Sequence, residues 1–264
     1  MVSIVILTWN SRALLEACLA ALPAATAALA TEVIVVDNGS VDGTAEMLAA
    51  RRDVVVITNP TNRGVAPARN QGLRAARGEF VALLDVDTEA APGSFATLVG
   101  RLRSQPEVGL VGPKLVDPDG QLQFSCRRFP TLVDKLCRRL PASIGRALVD
   151  DVELRWWDHA GVRQVDYVIG ACQVIRRTAL DQVGLLDEHI FYGPEDVDLC
   201  LRMHRSGWKV EYVPHAVVMH LERRITRKLL SVLTARHVYG LGYFFWKHGY
   251  LLTRPTVATV RHAA

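Results

Sequence analysis

The sequence predicts an α/β fold: a mainly parallel central sheet flanked by helices. Three observations predict it. Short apolar, β-branched runs alternate with helical stretches through the first 85 residues. Each apolar run is too short to be anything but a buried strand, and each ends in Asn, Asp or Gly. Alternating strands and helices call for right-handed crossovers and parallel pairing.

Val2–Thr8 is the first buried strand, and Ser11 is placed to cap a helix running to about Leu22. Glu32–Val36 is the second strand. It ends at Asp37-Asn38-Gly39-Ser40, after which Asp42 caps a helix through Arg51. Val54–Thr58 is the third. Asn62-Arg63-Gly64 then opens a helix through Arg77, and Phe80–Leu84 is the fourth strand, ending at Asp85. From Pro106 to Pro118 the pattern is a short strand with turns. Between Gln121 and Glu153 it loosens into scattered Arg and Pro, read as a mobile, partly helical insertion that helps choose an acceptor. Val165–Arg177 is strand-like with a break at Gly170, and Glu195–Ser206 is a helix. Trp208–Val213 and Ala216–His220 read as two short strands. Thr226–His248 is a long amphipathic helix with the cluster Tyr243-Phe244-Phe245-Trp246.

Bulk properties narrow the function. Of 264 residues, 50% are hydrophobic and 22% charged, which marks an ordered globular chain. A net charge of +4 is too small to argue for nucleic acid, and none is expected as a partner. The charge is unevenly spread. Residues 1–201 hold 20 basic and 25 acidic side chains; from Arg202 onward there are 11 basic and 2 acidic. An acidic body with a basic C-terminal part suits an anionic partner there, or a solvated basic helix. Five cysteines without a CxxC pair read as reduced, buried thiols in a cytosolic protein. Neither a leader peptide nor a membrane-spanning run is apparent.

In open parallel sheets ligands bind beyond the carboxyl ends of the strands. One polar strand end would be ordinary capping and turn chemistry. Here four in succession are polar: Thr8-Trp9-Asn10, Asp37-Asn38-Gly39-Ser40, Asn62-Arg63-Gly64 and Asp85-Val86-Asp87. The last pair of carboxylates suits a hard divalent cation, which takes oxygen ligands and bridges to phosphates. Glu195-Asp196 opens a helix behind Phe191-Tyr192-Gly193-Pro194, where a carboxylate could take a proton from a hydroxyl. His220 closes a strand and precedes Arg223, Arg224, Arg227 and Lys228, a run that could clamp phosphate or begin a solvated helix. GxGxxG, GxxxxGK[ST], GxSxG and zinc spacings are absent from the sequence.

These stretches resemble the family 2 glycosyltransferases, with the GT-A nucleotide-sugar fold, in the rhamnosyltransferase-like branch. The matching segments are VSIVILTWN, EVIVVDNGSVDGT, NRGVAPARNQG, FVALLDVDTE, VIGACQVIRR, GLLDEHIFYGPEDVDLCLRMHRSGW and VPHAVVMH, in order up to His220. The resemblance implies an inverting transferase acting on a dTDP-, UDP- or GDP-linked sugar with Mg2+ or Mn2+. It implies a GT-A domain over 1–225, with a nucleotide-binding half to about 112 and an acceptor-side half from about 113, then a helical tail over 226–264. Thr8, Asn10, Asp37, Asn38, Ser40, Asn62, Arg69 and Asp85 would bind the donor. Asp85, Asp87 and His220 would hold the metal, and Asp196 would be the general base. Gly170, Ala171, Cys172 and Glu195 would line the donor-sugar and acceptor pocket.

The implied setting is cell-wall, polysaccharide or glycolipid biosynthesis on a glycan or lipid-linked acceptor. The C-terminal helix would touch the inner face of the cell membrane, or else pack its aromatics over the sheet. The branch often carries Asn-Pro-Asp where this chain has Asp85-Val86-Asp87, and a Gly-Phe-rich stretch near Gly64–Asn70, so dTDP-rhamnose is not singled out. A sugar-nucleotide pyrophosphorylase would want a Gly-rich basic loop in place of Thr8-Trp9-Asn10. A non-catalytic binding module would tolerate loss of Asp196.

Overall fold

The computed structural model describes residues 1–137, 149–221 and 232–257. In order, the chain forms β1 (Val2–Thr8), α1 (Arg12–Ala25), β2 (Thr31–Asp37), α2 (Thr44–Ala49), β3 (Val55–Thr58), α3 (Val65–Ala75), β4 (Phe80–Asp85), β5 (Thr88–Ala90), α4 (Ser94–Ser104) and β6 (Val108–Val116). Then come β7 (Leu122–Gln123), β8 (Cys126–Arg127), α5 (Leu132–Cys137), β9 (Arg163–Gln164), β10 (Tyr167–Val168), β11 (Cys172–Arg176), α6 (Arg177–Val183), α7 (Glu195–Arg205), β12 (Lys209–His220) and α8 (Val232–His248).

The main sheet runs β3-β2-β1-β4-β11-β6-β12-β5. Pairing is parallel from β3 to β4 and between β6 and β12; β11 is antiparallel to both neighbours. Alternation along each strand splits the core between the two faces. Ile4, Ile6, Ala82 and Leu84 meet Leu15, Leu19 and Leu22 of α1 and Phe95, Leu98 and Leu102 of α4. Val5, Ile34, Val81 and Leu83 meet Ala66 and Leu73 of α3, Leu199 and Met203 of α7, and Phe244 and Phe245 of α8. Gly72 lets α3 lie against β1: a Cβ there would fall 2.3 Å from Val5 Cγ1. The aromatic cluster of the last helix is thus half core: Phe244 and Phe245 are buried while Trp246 is 78% exposed.

Several local expectations are corrected. Ser11 does not cap α1; its hydroxyl donates to the Trp9 carbonyl, and the Asp42 carboxylate accepts the Arg12 amide (3.0 Å) from across the sheet end. The second helix stops at Ala49 and the third at Ala75, each short of the expected arginine. The two strands expected before His220 are one strand. Its register jumps between Val213 and Val217, where Pro214 lacks the N–H a ladder needs. The strand expected around Pro106–Pro118 runs nine residues. The loose stretch from Gln121 contributes β7, β8 and α5, and its residues 138–148 lie outside the described residues. So does the first part of the helix expected from Thr226. All five cysteines are free, Cys137 alone being half-buried. Among the described residues no helix is long and apolar enough to cross a membrane.

Candidate active site

The carboxyl ends of β1, β2 and β4 lie side by side, because Thr8 registers with Asp37 and Leu7 with Asp85. Thr8 and Asp37 are buried, and Thr8 Oγ1 and Asp37 Oδ2 have no partner among the described residues. Buried polar atoms without partners are rare, and they mark where a ligand's polar groups fit. Asn10, Asn38, Ser40 and Asn62 bind mainly one another's loops. Ser40 Oγ accepts the Asn10 amide (2.9 Å), and Asn10 Oδ1 accepts the Val41 amide (2.8 Å). Asn38 donates to Asn62 Oδ1 (3.1 Å) and the Gly64 carbonyl (3.2 Å), and it accepts the Arg63 amide (3.1 Å). Their chemistry is to hold three loops in one arrangement around Thr8 and Asp37.

Arg69, on α3, is buried and bridges the end of β4 to Gly170 and Glu195. Its Nη2 donates to Asp85 Oδ1 (2.5 Å) and to the Gly170 carbonyl (2.9 Å), and Nη1 lies 3.5 Å from Glu195 Oε1. The Gly170 amide in turn donates to Asp196 Oδ2 (2.9 Å). Gly170 therefore has Arg69 on its carbonyl and Asp196 on its amide. A Cβ at this position would come 3.0 Å from Arg69 Nη1. Ala171 and Cys172, expected in the same wall, have their side chains in the core; the Ala171 carbonyl accepts the Asp85 amide (2.9 Å). Glu195 is buried, and its Oε2 has no partner among the described residues. Burial and the neighbouring Asp196 charge push its pKa up to about 7.

Ligand atoms of Asp85, Asp87 and His220 lie within 4.8 Å of one another. Thr88 Oγ1 donates to the Asp85 carbonyl (2.7 Å), the Leu221 amide donates to the Asp87 carbonyl (2.8 Å), and β5 pairs Thr88 with His220. The donor set fits a divalent cation. Gln123 Nε2 donates to the His220 carbonyl (2.8 Å), which fixes the amide's orientation, and its Oε1 then faces His220 Nδ1 at 2.9 Å. An amide oxygen only accepts, so Nδ1 carries a proton, and Nε2, 3.8 Å from Asp87, is the ring nitrogen that would meet a metal. Gln123 had no signal in the sequence: it sits in the loosely patterned stretch.

The loop before α7 is held by contacts that its own sequence does not show. Gly64 has φ +92, and a Cβ there would fall 2.5 Å from the Phe191 ring. The Phe191 carbonyl accepts the Val65 amide that begins α3 (2.7 Å). The last helix grips the same loop: Arg236 stands 3.9 Å over the Phe191 ring, His237 Nδ1 is 3.3 Å from the Tyr192 carbonyl, and a Cβ on Gly240 would lie 3.0 Å from the Gly193 carbonyl oxygen. Lys247 Nζ donates to Asp187 and to Asp198 (2.7 Å each), and His248 Nε2 meets Asp198 at 2.8 Å.

Sequence and fold relate the chain to known proteins. An N-acetylglucosaminyl-diphospho-decaprenol L-rhamnosyltransferase of Mycobacterium tuberculosis is 32% identical over 239 residues, covering 81% of this chain and 75% of the relative. A pre-mycofactocin glycosyltransferase from the same species is 34% identical over 202 residues, covering 75% of this chain but only 39% of its own length. A mannosyltransferase of Pyrobaculum calidifontis, solved with GDP-Man and Mn2+, superposes with a TM-score of 0.63 at 20% identity, over 96% of this chain and 65% of that one. At that identity the likeness is one of fold, the GT-A fold. The sequence profile described as glycosyl transferase family 2 matches residues 3–184. With that match over more than half its length, the chain belongs to glycosyl transferase family 2, on its rhamnosyltransferase-like side.

Proposed function

We propose that the chain transfers a sugar, with inversion, from a nucleoside-diphosphate sugar to the hydroxyl of a glycan or lipid-linked acceptor in cell-wall or polysaccharide biosynthesis. The observation that carries this reading is the Arg69–Gly170 connection. It joins the strand-end corner of Asp85 to the Glu195–Asp196 corner through contacts of 2.5–3.5 Å. Donor and acceptor chemistry then share one cleft.

Thr8 and Asp37 take the nucleoside through their unpartnered oxygens. Asp85, Asp87 and His220 would hold Mg2+ or Mn2+, and a divalent cation there supplies counter-charge to the diphosphate. Asp196, oriented by the Gly170 amide, accepts the proton of the acceptor hydroxyl as its oxygen attacks the anomeric carbon. The bond from that carbon to the diphosphate oxygen breaks on the opposite face, so configuration inverts without a covalent enzyme intermediate. Asp196→Asn should lower kcat by ~10²–10⁴-fold, the usual value of a general base, with nucleotide affinity nearly unchanged. Near-normal turnover would remove Asp196 from the mechanism. The donor is found by measuring nucleotide release from UDP-, GDP- and dTDP-sugars with Mn2+ and with EDTA.

Val238, Tyr239 and Trp246 on the outer side of α8 support contact with the inner face of the membrane. Because Phe244 and Phe245 are buried, deleting the helix would open the core. Sedimentation with phosphatidylglycerol vesicles is therefore compared between the unaltered chain and Tyr239→Glu/Trp246→Glu. Equal binding would end the membrane reading.

A further inference from the structure

The loop that enters α7 carries two aromatic side chains, and the fold occupies only the first. Phe191 lies against Gly64 and beneath Arg236. Tyr192, the next residue, is half-buried. Its hydroxyl bonds to nothing among the described residues and, unlike those of Tyr212 and Tyr250, is not sealed inside the protein. The charges of Glu195 and Asp196 reach this phenol from one corner of the cleft, and those of Asp85 and Asp87 from the other. Burial, and then these four carboxylates, push its pKa up to about 12, so it remains a neutral O–H donor at neutral pH.

Helix α8 fixes this residue in place. The Tyr192 carbonyl can only accept, so His237 Nδ1, 3.3 Å away, donates to it, and the two rings meet edge-on with centroids 6.2 Å apart at 60°. Gly193 lets the loop close on both neighbours: a Cβ there would come 3.2 Å from His237 Nδ1 and 4.0 Å from Glu195 Oε2. A hydroxyl held through its own ring and backbone needs little ordering when a ligand arrives. Glu195 Oε2, at the same turn, is buried and has no partner among the described residues. An open O–H donor and an open carboxyl oxygen at one turn suit a ligand hydroxyl, which accepts from the first and donates to the second. With the diphosphate assigned to Asp85 and Asp87 and the proton acceptor to Asp196, the group lying between those corners is the sugar in transit.

We propose that Tyr192 is a specificity-determining residue whose hydroxyl donates to a hydroxyl of the transferred sugar, with His237 as the residue that positions it. This rests on the transferase reading and adds which part of the donor the loop before α7 reads.

The test is calorimetric, on the full chain with Mn2+ and without acceptor. UDP-, GDP- and dTDP-sugars are titrated, each beside its bare nucleoside diphosphate, and the tightest-binding sugar nucleotide is carried forward. Tyr192→Phe should weaken it by about 3- to 10-fold, the loss of one hydrogen bond, and leave the bare diphosphate within about twofold. His237→Ala should show the same selective loss, and the double variant should lose less than the product of the two single losses. Among deoxy analogues of the preferred sugar, the one lacking the contacted hydroxyl should bind Tyr192→Phe and the unaltered chain equally. The proposal falls, and the transferase reading stands, on any of three results with a sugar nucleotide that binds the unaltered chain. Tyr192→Phe holds it equally well, loses it and the bare diphosphate in equal measure, or stays weaker for every deoxy analogue. Full affinity in His237→Ala would overturn the positioning role. If no sugar nucleotide binds the unaltered chain, the transferase reading fails and takes this proposal with it.

Discussion

Asp198→Asn is the sharpest probe of how α7 is held. Asp198 lies on α7, two residues beyond the proposed base, with a fully buried side chain. Its carboxylate accepts from Arg202 (2.8 Å), Lys247 (2.7 Å) and His248 (2.8 Å). Burial pushes the pKa up, but the His248 bond, the Arg202 charge and Lys247 outweigh it, and the value falls from 3.8 to about 2. At 1.36 kcal/mol per unit the ionised carboxylate contributes about 2 kcal/mol that a neutral amide does not. The folded pKa is depressed, so this stability is present above the ordinary value and is lost as pH falls through about 2. In urea unfolding, the gap between the two proteins should be about 2 kcal/mol at pH 7 and about half that near pH 3. A gap below about 0.5 kcal/mol at pH 7, or one that does not narrow on acidification, would refute the argument.

Gln123→Leu should weaken Mn2+ binding by about 10- to 100-fold, since it frees the His220 ring, with little change in Tm; unchanged affinity by titration would exclude Gln123 from the metal's surroundings. Glu195→Gln, in EDTA, should become more stable relative to the unaltered chain as pH rises from 5 to 8. The raised Glu195 pKa means its stability contribution is present at low pH and lost as pH climbs through about 7, while glutamine has no charge to bury. Parallel Tm–pH curves would contradict this. Gly64→Ala should cost about 1–3 kcal/mol, because alanine resists φ +92 and its Cβ meets the Phe191 ring; a Tm within error of the unaltered chain would show that the loop yields freely.

What was legible in the sequence follows from how locally each feature is encoded. Val2–Thr8 and Phe80–Asp85 are largely apolar runs ending in polar residues, so both the strands and their polar ends read directly. Asp85, Asp87 and His220 were visible as residue types at strand ends, and the structure brings their ligand atoms together. Gln123 acts through His220, 97 positions away, and Phe191 through Gly64, 127 positions away, and no local pattern records such contacts. Ser11 looks like a cap in the sequence, yet the acceptor for the Arg12 amide that opens α1 is Asp42, thirty residues on from Arg12. The expected break before His220 failed because Pro214 interrupts only the hydrogen bonds, and the chain stays extended across it.

The attachment of Lys247 and His248 to Asp198 has a consequence for how the chain matures. A nascent chain released as far as His220 already contains Thr8, Asp37, Arg69, Asp85, Asp87, Asp196 and His220. It still lacks Lys247 and His248, which join Arg202 on the buried Asp198 carboxylate, and the two phenylalanines that pack with Leu199 and Met203 of α7. Anchoring of α7 thereby waits until the chain has been made through residue 248, and a protease cut before residue 247 leaves that helix without these partners.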